Sequence, residues 1–200
     1  MWTLRNAAAS PFGRKVRIVA AVCGIDGRIE MVVADTNDPA DPLRRQNPLG
    51  KIPALILEDG TVLYDSRVIV EFLDTQAGGG IVIPTGSKRI PVLTMQALAD
   101  GVMDASLLQV YEGRYRAPEA HNQRWLDNHR SKVERGLATF EANPPALTAR
   151  PHVGQIALAC ALGYQDLRFE GKRRGTHPRL VAWLDEFAAK IPSYEATRAS

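Results

Sequence analysis

The sequence is poor in the groups from which several functions are built. It has only two cysteines, Cys23 and Cys160, far apart and in no CxxC pair. That argues against a disulfide scaffold and against structural zinc. Each reads as a small packed side chain rather than a nucleophile. Of the four histidines, His121, His129 and His177 share no metal-ligand spacing, and His152 reads as structural, so no metal is expected. Long apolar runs are missing too: none reaches the roughly 18 residues that cross a bilayer. The segment VRIVAAVCGI faintly mimics a secretory leader, but Arg17 interrupts it and a strand precedes it. Neither sign of charge dominates. The net charge is +3, and the densest basic run, Lys172 to Arg174, has three residues. A nucleic-acid partner is therefore not expected, and neither is a membrane. A cytoplasmic location is the expectation.

What is present suits a packed core. The 200 residues are 45% hydrophobic and 24% charged, enough for one compact unit or two small domains. WTLR (2–5) reads as a strand and 11–23 as a helix, with Val16, Val19, Ala20 and Cys23 on one face and the basic residues outward. IEMVVA (29–34) is a second strand. A polar, proline-punctuated loop or short helix follows. PALIL (53–57) and TVLY (61–64) flank Asp59-Gly60, a hairpin signal. Residues 65–76 read as a helix. The glycines of QAGGGIVIPTGS mark a linker at 78–87, and they lack the Gly-Lys-Ser/Thr of a phosphate loop. Beyond it, helices are expected over 88–116, about 122–142, 153–169 and about 178–190. The outcome is a small α/β domain over 1–77 and an all-α domain over 88–200.

Three clusters in the first domain carry candidate chemistry. Ser10-Pro11 is a good N-cap followed by a good first helical residue, and capping alone accounts for it. A helix N-terminus also favours an anion, and a hydroxyl there can donate to a thiolate. In NPLGKIP (47–53), Pro53 opens a strand and is a candidate for a cis bond. A bend there leaves the backbone of Ile52 open to an added extended peptide, with Lys51 near a carboxylate; an ordinary loop is the alternative. In Asp65-Ser66, the serine caps a helix whose free N–H groups suit a carboxylate, and Asp65 suits an ammonium. Together these describe an anionic peptide running from Lys51 over Ile52 to Ser66, with its reactive end at Ser10.

On SPFGRKVRI, NPLGKIPAL, the hairpin with YDS, ADGVMDA and IALACALGYQDLRF, spread over most of the chain, the sequence resembles the cytosolic glutathione S-transferases, above all bacterial members with a serine after the first strand. The resemblance implies a thioredoxin-like N-terminal domain, an all-helical C-terminal domain, a homodimer and glutathione as cosubstrate. It implies that Ile52 pairs with the cysteinyl part beside a cis Pro53. Asp65 and Ser66 would hold the γ-glutamyl end, Lys51 the glycine end, and Phe12 would lie against the peptide. Asp100 is either a solvated helix acid or a group reaching the partner subunit's glutathione. Ser10 becomes the thiolate's donor. With serine at 10 and glycine at 13, dithiol chemistry is excluded there. Tyr111, Arg114, Tyr115, Arg116 and Phe12 are candidates for a pocket that takes a small hydrophobic electrophile, unless amphipathic packing alone explains the aromatics. A noncatalytic glutathione-binding protein and a glutathione-dependent peroxidase or reductase are the alternatives. Two departures stand out. Asp65 is shorter than the family's usual Glu or Gln, and His152 is expected to be a poor cap for the helix at 153.

Overall fold

The computed structural model describes residues 1–199. Four strands form one sheet in the order β2-β1-β3-β4. They are β1 (Trp2–Asn6), β2 (Ile29–Val33), β3 (Ala54–Ile56) and β4 (Val62–Leu63). β1 and β2 are parallel, with helix α1 (Pro11–Val22) as the crossover. β3 runs antiparallel to β1, and β4 antiparallel to β3. A one-turn helix α2 (Leu43–Gln46) lies in the polar loop, and α3 (Ser66–Gln76) follows the hairpin. This is the thioredoxin-like arrangement, and the rest is helical: α4 (Arg89–Tyr115), α5 (Gln123–Ala142), α6 (Val153–Arg168), α7 (Pro178–Lys190) and α8 (Pro192–Ala196). The last of these was not expected from the sequence, being one short turn with no apolar period of its own.

The core runs through both halves. On α1, Val16, Val19 and Ala20 are buried, as their helical spacing implies, while Cys23 at the end is half-buried. The stretch of α6 from Ile156 to Leu162 is buried all round, which puts this helix at the centre of the molecule. Its start corrects one expectation. His152 caps it well: its Nδ1 accepts from the Gln155 N–H at 3.3 Å, and Gln155 Oε1 accepts from the His152 N–H at 3.0 Å. An imidazole nitrogen serves where a hydroxyl usually does, closing a capping box.

The segment after α3 is more than a tether. Gly78, Gly79 and Gly80 all have left-handed φ values of 104°, 78° and 76°. That curl points successive N–H groups inward at the carboxylate of Asp74, which is 5% exposed. Its oxygens accept from Gly80, Ile81 and Val82 at 2.8, 2.8 and 2.7 Å. Val82 then accepts from the Val153 N–H at 2.8 Å, so the segment is tied to the start of α6.

Candidate active site

The strand register collects the candidate residues at one edge of the sheet. Arg5 pairs with Ala54, so the C-terminal end of β1 meets the N-terminal end of β3. Leu55 pairs with Leu63, which brings the end of β4 to the same edge. Ser10 lies after β1, Pro53 before β3 and Ser66 after β4. Both α1 and α3 begin there, so two helix N-termini converge with their unpaired N–H groups and positive ends.

Ser10 is the N-cap of α1, its Oγ accepting from the Gly13 N–H at 3.1 Å. The oxygen is occupied as an acceptor, which leaves the hydroxyl hydrogen to donate. A Cβ at position 13 would sit 1.7 Å from Asn6 Oδ1, so any side chain there requires the buried Asn6 amide to move. Phe12 is half-buried against the core, with Lys15 Nζ 5.6 Å from its ring centroid.

The Ile52–Pro53 bond is cis. Buried Asn47 shapes the turn before it. Asn47 Nδ2 donates to the Lys51 carbonyl at 2.8 Å, and its Oδ1 accepts from the Leu49 N–H at 3.0 Å. Among the described residues, neither backbone polar group of Ile52 is bonded to protein. Lys51 is exposed. On α3 the roles divide differently from the sequence expectation. Asp65 is the N-cap, accepting from the Arg67 N–H at 2.9 Å, and Ser66 is the first helical residue, 2% exposed. A carboxylate reaches two residues forward more readily than a hydroxyl already inside the turn. The Tyr64–Asp65 bond is also cis.

Asp100 does not face water, so of its two readings the solvated helix acid does not hold. It is 0% exposed and both its oxygens are engaged within the chain. Oδ1 is 2.7 Å from Lys15 Nζ, itself fully buried, and Oδ2 is 3.0 Å from Arg67 Nε. The pairing ties α4 to α1 and α3, locking the two helix N-termini together. The exposed acid on this face of α4 is Asp104, whose pKa is pushed up by desolvation and by the Asp100 charge, against Arg67 and Lys51.

Ser10 opens into a cavity of ≈ 380 Å³ that runs between the two halves. Its walls include Ala8, Arg14, Cys160, Tyr164, Leu167 and Tyr194. Tyr111 and Tyr115 instead border a separate hollow of ≈ 310 Å³, with their rings edge to face at 5.4 Å. The Tyr115 hydroxyl bonds Asn37 Oδ1 at 3.1 Å, bridging α4 to the loop after β2. Arg114 lies 5.1 Å from the Tyr111 ring centroid, and Arg116 pairs with Glu112 at 2.7 Å. Burial raises the Tyr164 hydroxyl's pKa, against the nearby Arg168 and Arg114 charges. Burial also pushes the Cys160 thiol to about 12, so it is no nucleophile. Tyr164 and Leu167 were missed because they lie in the motif IALACALGYQDLRF, whose apolar run reads as core. Arg14 was missed because it was expected to point outward.

The comparisons with known proteins agree on one family. Residues 9–76 match the N-terminal domain of glutathione S-transferase, and residues 123–186 match its C-terminal domain. The chain is 31% identical over 169 residues, 82% of each protein, to the uncharacterized GST-like protein YibF of Escherichia coli (strain K12). A glutathione transferase family member from Pseudomonas fluorescens Pf-5, solved with bound glutathione, is 45% identical and superposes with a TM-score of 0.92 over 100% of both chains. A structure of a family member from the same organism with bound S-(propanoic acid)-glutathione is 45% identical with a TM-score of 0.88, again over 100% of both.

Proposed function

The chain belongs to the glutathione S-transferase family, and on that premise we propose that it is an active glutathione transferase acting on a small electrophile. The observation that carries this reading is the meeting of Ser10, the unpaired backbone of Ile52 and Ser66 at one sheet edge with two helix N-termini. The glutathione-bound relative supports it. Ile52 takes the cysteinyl backbone as an added strand beside Pro53. Ser66 and the start of α3 take the γ-glutamyl carboxylate, Asp65 the γ-glutamyl ammonium, and Lys51 the glycine carboxylate. Phe12 lies along the peptide.

The sulfur comes to rest at the start of α1. The Ser10 O–H donates to it, and the helix end favours the anion, so the thiol gives its proton to water near neutral pH. The thiolate then bonds to the electrophilic carbon, and the leaving group departs with its electron pair. No general base is needed once the thiolate exists. Tyr111, Arg114 and Tyr115 flank the approach beside the Asn37 loop. The electrophile enters the cavity beyond Ser10. The apolar side chains of Val68 on α3 and Ile90 on α4 are exposed and offer a face for a second copy, in keeping with a homodimer in the cytoplasm.

Ser10→Ala tests this directly. With chlorodinitrobenzene as the electrophile, kcat is expected to fall roughly tenfold to a hundredfold, the size of a lost hydrogen bond to a charged group, while glutathione Kd changes less than about twofold. An unchanged kcat would leave Ser10 as a cap alone. Glutathione binding without turnover across electrophiles and peroxides would instead mark a noncatalytic binder.

A further inference from the structure

Arg14 differs from the other cations around the cavity that Ser10 opens into. Arg174 is paired with Asp166 at 2.8 Å and Arg198 with Glu195 at 3.4 Å. Asp185, also on the wall, acts on Arg174. Arg14 is 8% exposed and, among the described residues, has no carboxylate partner. Its Nη2 donates to the Tyr194 carbonyl at 2.6 Å and its Nε to Thr197 Oγ1 at 3.3 Å. The guanidinium lies 3.9 Å from the centroid of the Tyr194 ring. These contacts satisfy two donors and bring dipoles, but no net charge.

The remaining terminal nitrogen, Nη1, lies beside the Tyr194 hydroxyl and meets no carboxylate among the described residues. It abuts Gly163, where a Cβ would sit 2.5 Å away. The absent side chain makes room for the guanidinium in the cavity wall. Burying a guanidinium is costly, and here, among the described residues, only dipoles and the Tyr194 ring offset that cost. A guanidinium fork in a cavity wall, meeting no carboxylate among the described residues, is matched by one from a ligand.

We propose that Arg14 receives a carboxylate carried by the second substrate, so that the cavity selects small acids with an electrophilic carbon over their neutral counterparts. This rests on the reading that the glutathione sulfur lies beside Ser10. Arg14 is one helical turn further along α1, its N–H bonded to the Ser10 carbonyl at 2.9 Å, and both residues line the same cavity. For a halogenated acid, the sulfur–carbon bond forms as the carbon–halogen bond breaks. The halide leaves with the electron pair, and the carboxylate stays on Arg14 unchanged.

The test compares S-(propanoic acid)-glutathione with S-propylglutathione, which differ in the terminal carboxylate, by calorimetry on the full chain. The wild type is expected to bind the acid about tenfold or more tightly, the scale of a charged hydrogen bond. Arg14→Gln abolishes that preference while glutathione itself still binds, Arg14→Lys keeps its direction, and Arg168→Gln leaves it in place. Equal affinity of the wild type for the two conjugates overturns the proposal even if Arg14→Gln does not fold. So does loss of the preference in Arg168→Gln but not Arg14→Gln. Failure of glutathione and both conjugates to bind overturns the glutathione reading itself.

Discussion

Two regions of this molecule present backbone N–H groups to an anion, and only one of them is filled by the chain itself. After α3, the curled glycine segment closes on Asp74, which accepts from three consecutive N–H groups at 2.8 Å or less. At the sheet edge, the starts of α1 and α3 and the backbone of Ile52 converge, and among the described residues no carboxylate bonds to the Ile52 backbone or to the first N–H groups of α1. Asp65 caps α3 from the outside, at 2.9 Å from the Arg67 N–H. The same physics, dipoles and donors aimed at a negative charge, builds a joint in one place and a binding site in the other. What separates them is whether a carboxylate on the chain reaches the donors.

The contrast breaks hardest at the joint. Asp74→Ala leaves the N–H groups of Gly80, Ile81 and Val82 without their acceptor in a buried setting. It is expected to lower unfolding stability by about 3 kcal/mol, measured by denaturant titration. The folded fraction should keep its glutathione affinity. A loss of affinity without a loss of stability would mean that the two regions are not separate. At the sheet edge the balance inverts. Ser66→Ala is expected to weaken glutathione about tenfold in an equilibrium binding measurement, with a stability change under roughly 0.5 kcal/mol, because the α3 cap is Asp65.

A third effect concerns pH and is confined to alkaline conditions. Cys160 borders the Ser10 cavity yet is 1% exposed, and burial raises its pKa to about 12. The folded pKa lies above the unfolded value of about 8.5. Its contribution to stability is therefore complete below that value and is lost as pH rises toward 12. The denaturation midpoint should fall above about pH 9, and Cys160→Ala should flatten that slope. At neutral pH a thiol reagent should leave Cys160 unlabelled in the folded protein; ready labelling would show that the cavity opens further than its static walls allow.

Much of the first domain was legible along the chain because its signals are local. Ser10-Pro11, Asp59-Gly60 and the NPLGKIP turn each act within a few residues, and each stands where the strand and helix ends occur. The division of labour between Asp65 and Ser66 was not legible, since both residue types cap helices. The His152 cap was missed because an imidazole seldom takes that role. Tyr111 and Tyr115 were candidates for an electrophile pocket between the domains, with core packing on an amphipathic helix as the alternative. They border a neighbouring hollow, because the rotation of α4 is set by its packing on α5 and α6.

Arg14 and Lys15 mark the boundary of what sequence decides. The chain by itself determined that a capped helix starts at Ser10, which apolar face it buries and which turns bring Ile52 and Ser66 to the same edge. Local chemistry suffices there, because caps, turns and periodicity act over short spans. It also suggested that the basic residues of SPFGRKVRI point to water. Only the tertiary structure turned them inward, Lys15 onto Asp100 of α4 and Arg14 beneath Tyr194 of α8. A charge is buried or solvated according to the partner it meets, and those partners stand 85 and 180 residues away along the chain.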